Sequence, residues 1–298
     1  MPFIAGADKT NVDLLYSGMP RIPGVGEEIY AENFEIKLGG GICATLINLA
    51  RLGIDTKIIT ELGQDMFSSF AKKEYDKLGC ELCNIYEGSE IPVNITSAII
   101  LDNDRSFISY GSEGFCKNKE TIYALEKGAK IVFMHTDGLI EEYKKLKNEG
   151  SILILDTGWD DTLSIEKYEE YLNTADYYTP NRKEALKITG ADNIEKAAEI
   201  LSNYFENVIV KLDSEGCLLY DSEGSAIIPA INEFKHVDST GAGDAFLAGF
   251  AYGIFKGYSV KGSVLFGNIT GGKAVTKTGA LSAYLNEDEL LKYFDKYK

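Results

Sequence analysis

Short apolar runs recur along this chain, separated by longer stretches whose apolar residues fall at helical spacing. No other feature constrains the fold as much. Parallel strands need a crossover between them, and an amphipathic helix supplies it, so the pattern predicts βαβ units layered on one sheet. Strands are predicted over residues 3–7, 56–60, 130–134, 152–156, 208–212 and 216–220. Helices are predicted over 65–78, with Phe67, Phe70, Ala71, Tyr75 and Leu78 on one stripe, and over 194–205, with Ile194, Ala197, Ala198, Leu201 and Phe205. From Ala242 onward the pattern is mostly helical. No repeat, low-complexity tract or Pro/Ser-rich linker interrupts it, so residues 1–298 read as one domain. A chain this long buries roughly 75% of its unfolded surface and needs no covalent staples. The five cysteines, an odd number, read as reduced thiols in a cytoplasmic compartment.

Two regions depart from the rhythm. Residues 11–37 mix Gly and Pro with short β-prone pieces at 28–30 and 34–36. Residues 92–114 alternate like antiparallel strands around the turn Asp102-Asn103-Asp104. The two could pair into one small sheet beside the main domain, contributed by about 12–37 and 92–114, and such an appendage commonly acts as a lid. The charge sum, 30 Lys+Arg against 46 Asp+Glu, gives −16. That argues against nucleic acid and anionic membranes as partners. Neither a membrane-spanning run of ~18 apolar residues nor a signal peptide is apparent.

The most informative stretch is Asp238-Ser239-Thr240-Gly241-Ala242-Gly243-Asp244-Ala245-Phe246. Its small residues let a ligand approach the backbone, and the helix it opens offers unpaired N–H groups and a partial positive charge. That suits an anion hole for a transferring phosphoryl group. Asp244 could accept the proton of an attacking hydroxyl. It could equally be a helix cap beside a Gly-rich turn. A second stretch, GGGICATLINLARLG over 39–53, reads as a glycine turn feeding an apolar helix that stops at Gly53.

The first string resembles D-[TS]-T-G-A-G-D-x-F, the C-terminal signature of the PfkB-type, ribokinase-like carbohydrate kinases. The second resembles their N-terminal signature at Gly39, Gly40, Arg51, Leu52 and Gly53. The resemblance implies a three-layer α/β/α sandwich with a mostly parallel central sheet and a small β-lid. It implies Asp244 as catalytic base and the Gly241, Ala242 and Gly243 amides as anion hole. Asn11, Asp13, Gly39 and Gly40 would hold the sugar. Asn181, Lys211, Gly216 and Asn268 would line the ATP site. Asn181 and Glu184, from an N-x-x-E motif, would hold Mg2+ largely through water. Asp238 and Thr240 match positions that line a K+ site in some members. Members often dimerise through the lid, which leaves room for a homodimer here.

The chain also departs from the pattern. The family's frequent Asn falls at Ala44. Gly41 stands where members acting on phosphorylated sugars often carry Lys, which favours a neutral acceptor. Lys211 replaces the usual Thr and Asp213 the usual Gly. Arg105, Tyr110, Ser112 and His135 are candidates for acceptor recognition, and His135 with Asp137 ends a strand. Cys80 and Cys83 have zinc-like spacing, but no second pair accompanies them. The absence of G-x-x-x-x-G-K-[ST] argues against a P-loop kinase. The expected activity is ATP-dependent phosphorylation of a hydroxyl on a neutral monosaccharide or derivative. The alternatives are a nucleoside kinase of the same fold and a catalytically silent sugar-binding regulator.

Overall fold

A computed structural model describes the chain apart from residues 79, 102–104, 112–114, 116–117 and 137 and the side chain of Arg105. The expectations placed on Ser112, Asp137 and the 102–104 turn therefore lie outside the described residues. In chain order the elements begin β1 (Ile4–Ala7), β2 (Asn11–Ser17), β3 (Asn33–Leu38), α1 (Ile42–Arg51), β4 (Thr56–Thr60), α2 (Met66–Leu78) and β5 (Glu81–Asn84). There follow β6 (Asn94–Ile100), β7 (Arg105–Tyr110), α3 (Lys119–Glu126), β8 (Ile131–Met134), α4 (Ile140–Asn148) and β9 (Ile152–Leu155). Next come α5 (Ile165–Thr174), β10 (Tyr177–Tyr178), α6 (Arg182–Thr189), α7 (Ile194–Leu201), β11 (Val208–Lys211), β12 (Cys217–Asp221) and β13 (Gly224–Ile228). The chain closes with α8 (Ala242–Lys256), α9 (Val260–Ala274) and α10 (Glu287–Tyr297).

Among the described residues the main sheet has the order β10-β9-β8-β1-β4-β5, with every pairing parallel. The antiparallel sheet β11-β12-β13 extends it, because the Lys211 amide donates to Pro180 O (2.8 Å) and Asn181 bridges Lys211. Strand periodicity sorts the side chains into two cores. Ile4, Ile58, Ile131, Phe133 and Ile209 face α1, α2, α8 and α9, whereas Ala5, Ile59, Val132, Met134 and Val210 face α3 to α7. This is the α/β/α sandwich.

A second sheet, β3-β2-β6-β7, joins segments far apart in sequence. Strands β2 and β6 run parallel, while β3 and β7 pair antiparallel on their outer sides. Residues 28–30 form no strand; β3 starts only at Asn33. The predicted 194–205 helix ends at Leu201, and residues 202–204 turn before Phe205 packs into the core. Among the described residues no helix is long and apolar enough to cross a membrane.

Candidate active site

Strand order reverses at β1, which has β4 on one side and β8 on the other. In an open α/β sheet the crevice beyond such a reversal is where ligands bind. Here the carboxyl ends of β1, β8 and β9 deliver Asp8, His135 and Asp156. Asp8 is buried. Its Oδ2 accepts the Ile42 amide at the start of α1 (2.9 Å), its Oδ1 accepts the Lys9 amide (2.7 Å), and His135 Nε2 lies 3.6 Å from Oδ1. Burial raises the Asp8 carboxyl above its ordinary range, against the pull of His135 and the two amides.

The glycine string turns into α8 beside this cluster. Gly241 is the helix cap, with φ 76, and a Cβ there would stand 2.5 Å from Ala280 Cα. Only glycine meets both conditions. Asp244 is therefore not the cap; it sits in the first helical turn. The Ala242 amide bends back to Ser239 O (3.2 Å), whereas the Gly241 and Gly243 amides make no hydrogen bond among the described residues. Asp244 is half-buried and accepts the Gly41 amide. Burial and then Asp156 push its carboxyl up to about 7, against the Gly41 amide and Lys211, with Asp8 adding to the rise.

The turn at 39–41 forms the opposite wall. A Cβ on Gly40 would lie 2.5 Å from Asp244 Oδ2, and one on Gly39 would lie 2.7 Å from Asp13 Oδ1. The two carboxylates thus crowd one bare stretch of backbone. Asp13 takes no hydrogen bond among the described residues. Burial, with Asp238 second, raises it to about 6. The Asn11 side chain is committed to structure: its Nδ2 donates to Gly40 O (2.8 Å) and its Oδ1 accepts Asn94 Nδ2 (2.8 Å). Tyr110 shares a sheet face with Ile95, and Asp13 shares the other with Thr96 and Ser109, so Tyr110 does not converge on Asp13.

Beyond Gly243 opens a cavity of about 630 Å³. Asn181, Lys211, Gly216, Asn268, Ala242 and Gly243 all line it. Asn268 Nδ2 ties α9 to the end of β13, through Ile228 O (2.8 Å) and Pro229 O (3.1 Å). Asp213, exposed and in the left-handed region at φ 52, sits at the rim.

Asn181 and Glu184 form a capping box on α6: Asn181 Oδ1 accepts the Glu184 amide (3.0 Å) and Glu184 Oε2 accepts the Asn181 amide (2.8 Å). Among the described residues no group of three or more His, Cys, Asp or Glu is arranged to hold a metal ion. Magnesium binds through few protein oxygens and keeps most of its waters, so one carboxylate and one amide are a donor set compatible with such an ion. At the start of the glycine string, Asp238 Oδ1 accepts the Thr240 amide and hydroxyl (3.0 and 2.8 Å), and Oδ2 accepts the Gly279 amide (2.9 Å). This is a structural knot, with both carboxylate oxygens committed to the chain.

Sequence reasoning did not single out Asp8, Asp156 and Asn94. A signal existed for the first two: each is a carboxylate directly after an apolar parallel strand, at the edge where such sheets bind ligands.

A family model for pfkB family carbohydrate kinases matches residues 10–287. The chain belongs to the PfkB carbohydrate kinase family. It is accordingly a phosphotransferase with an alcohol group as acceptor. An uncharacterized sugar kinase of Archaeoglobus fulgidus is 31% identical over 258 residues, 78% of this chain and 96% of that protein. A nucleoside kinase of Methanocaldococcus jannaschii is 24% identical over 268 residues, 87% of this chain and 86% of that protein. Among solved structures, Arabidopsis thaliana ribokinase in complex with ribose and ATP superposes with a TM-score of 0.81 at 25% identity, over 98% of both chains. The PfkB kinase fold thus extends over nearly the whole chain.

Proposed function

We propose that this PfkB kinase transfers the γ-phosphoryl group of ATP to a hydroxyl of a neutral monosaccharide or derivative. One observation carries the reading: the Asp244 carboxylate and the start of α8 meet between the bare 39–41 turn and the cavity beyond Gly243. ATP occupies the cavity, with Asn181, Lys211, Gly216 and Asn268 on its walls. The acceptor lies against Gly39 and Gly40, with Asp13 accepting from its hydroxyls and Asn11 fixing the turn. Asp244 orients the attacking hydroxyl and takes its proton. The Gly241 and Gly243 amides, with the α8 dipole, stabilise the charge on the transferring group. Ala242 shapes the turn that aims them. Magnesium, when bound, neutralises phosphate charge; Glu184 and Asn181 hold its waters. Asp238 and Thr240 brace the string, and no step runs through K+. The sheet formed by β2, β3, β6 and β7 closes over the acceptor and excludes water.

The acceptor's neutrality is supported by charge. Asp8, Asp13, Asp156 and Asp244 bear on the acceptor side, and Gly41 offers no cation to an anionic sugar. Exposed Phe34, Ile108 and Tyr110 on the face of the small sheet away from Asp13 support pairing of two copies there. A nucleoside kinase is the second reading, supported by the likeness to the Methanocaldococcus protein.

The experiment is ADP release by the purified protein with ATP and magnesium over a panel of neutral pentoses, hexoses and nucleosides. Turnover with a sugar is expected. Turnover with nucleosides alone would establish the second reading, and no ADP release with any acceptor would leave only a silent sugar-binding regulator.

A further inference from the structure

Lys211 ends β11 with its backbone held on both sides by Pro180 and Asn181. Strand alternation sends Ile209 and Lys211 to the α8 face, and Ile209 packs in the same core as Phe246. The Lys211 ammonium lies 5.9 Å from the Phe246 ring centre and 3.6 Å from the point a Cβ on Gly243 would occupy. It is half-buried, yet it makes no hydrogen bond and no ion pair within 4 Å among the described residues. Among those residues the ammonium has no anionic partner, only the face of the Phe246 ring, so an anionic occupant of the space it faces would be favoured. That space borders the cavity, in front of the unspent Gly243 amide. Its field reaches both carboxylates of the site: Lys211 counters the rise of Glu184 and of Asp244.

We propose that Lys211 is a catalytic cation acting on the leaving-group side of the phosphoryl transfer, opposite Asp244. This rests on the kinase reading and adds a residue role to it. In the step, the acceptor oxygen bonds to the γ-phosphorus as its proton passes to Asp244. The bond from the γ-phosphorus to the β–γ bridging oxygen breaks, and ADP departs with the electron pair. Negative charge therefore grows on the nucleotide side, where Lys211 and Gly243 line the cavity. A compact ammonium with three rotatable donors can follow that charge as it moves. Lys211 is thus worth more in the transition state than in the ATP complex, and its removal lowers kcat rather than raising KM.

The test compares wild type, Lys211→Met and Lys211→Arg, using the best acceptor from the panel. ATP affinity is measured separately by calorimetry without acceptor. Lys211→Met is expected to lose about 10²-fold or more in kcat, with ATP affinity close to wild type. Lys211→Arg, and Lys211→Met supplied with ethylammonium, are expected to recover much of it. Wild-type kcat in Lys211→Met overturns the proposal and leaves the kinase reading intact. So does a loss confined to KM for ATP. If Lys211→Met does not fold, Lys211→Gln replaces it in the same comparison. Wild type without ADP release on any acceptor overturns both.

Discussion

The Asp244 carboxyl is raised toward neutrality because of where it lies, not because of its position in the helix. Burial and Asp156 raise it to about 7, against the pull of the Gly41 amide and Lys211. A carboxyl raised to that level is protonated in mild acid and cannot accept a proton there. The kcat/KM of the free enzyme should therefore rise as pH increases through about 7, read from a pH–rate profile with the panel's best acceptor. Asp244→Asn should lower kcat by about 10²–10⁴-fold and leave calorimetric ATP affinity nearly intact. Gly40 tests the same carboxylate from the other wall. An added methyl would meet Asp244 Oδ2 at 2.5 Å, so Gly40→Ala must displace that carboxylate. A displacement on the order of 1 Å can cost about 10²-fold. An assay of Gly40→Ala that finds wild-type kcat would show that the carboxylate's placement is not critical.

At the scale of the element, helix ends do more than terminate helices here. The start of α6 is closed by its own capping box, so Asn181 and Glu184 stay rigid beside the cavity. The start of α1 has no side-chain cap of its own and is instead bound by Asp8 from β1. The end of α3 is less settled. Glu126 is fully buried, both its carboxylate oxygens lack a hydrogen bond, and burial raises its carboxyl well above the ordinary range. A buried, unpaired carboxyl costs about 1–3 kcal/mol even when neutral. Glu126→Met should therefore stabilise the protein by about 1–3 kcal/mol in denaturant titrations. The gain should grow as pH rises above the ordinary carboxylate range, where the unfolded chain has released this proton and the native state still holds it. A loss of stability in Glu126→Met would mean that the carboxyl has an unseen function.

For the whole molecule, the site stores unfavourable charge that the two cores must offset. Asp13 and Asp244 are raised to about 6 and about 7, and Asp8 is raised as well. In the unfolded chain such groups lose their protons near pH 4. Between that pH and about 7 the native state binds more protons than the unfolded one, so stability falls as pH rises. Asp160, held low chiefly by Lys167, acts in the opposite sense but only in stronger acid. The thermal midpoint should accordingly be higher at pH 5.5 than at pH 8. Asp244→Asn should reduce that difference, with the part due to Asp13 and Asp8 remaining. An equal or higher midpoint at pH 8 would contradict the charge arrangement described here.

The central strands were legible because a buried parallel strand is apolar over most of its length: β1, β4, β8 and β9 stand within a residue of their predicted limits. Strands β5 and β13 at sheet edges, and the two-residue β10, escaped prediction, since an edge needs few apolar residues and two residues have no period. The glycine string was legible too, because close backbone approach restricts residue choice at consecutive positions. What only the tertiary structure decided is convergence. Asp8, Asp13, Gly40, Asp156, Lys211 and Asp244 come from separate parts of the chain, and the order of the strands together with the placement of α8 and the small sheet sets their separations. Local sequence carries a residue's chemistry, whereas its ionisation and its partners depend on the burial and charges that folding brings to it.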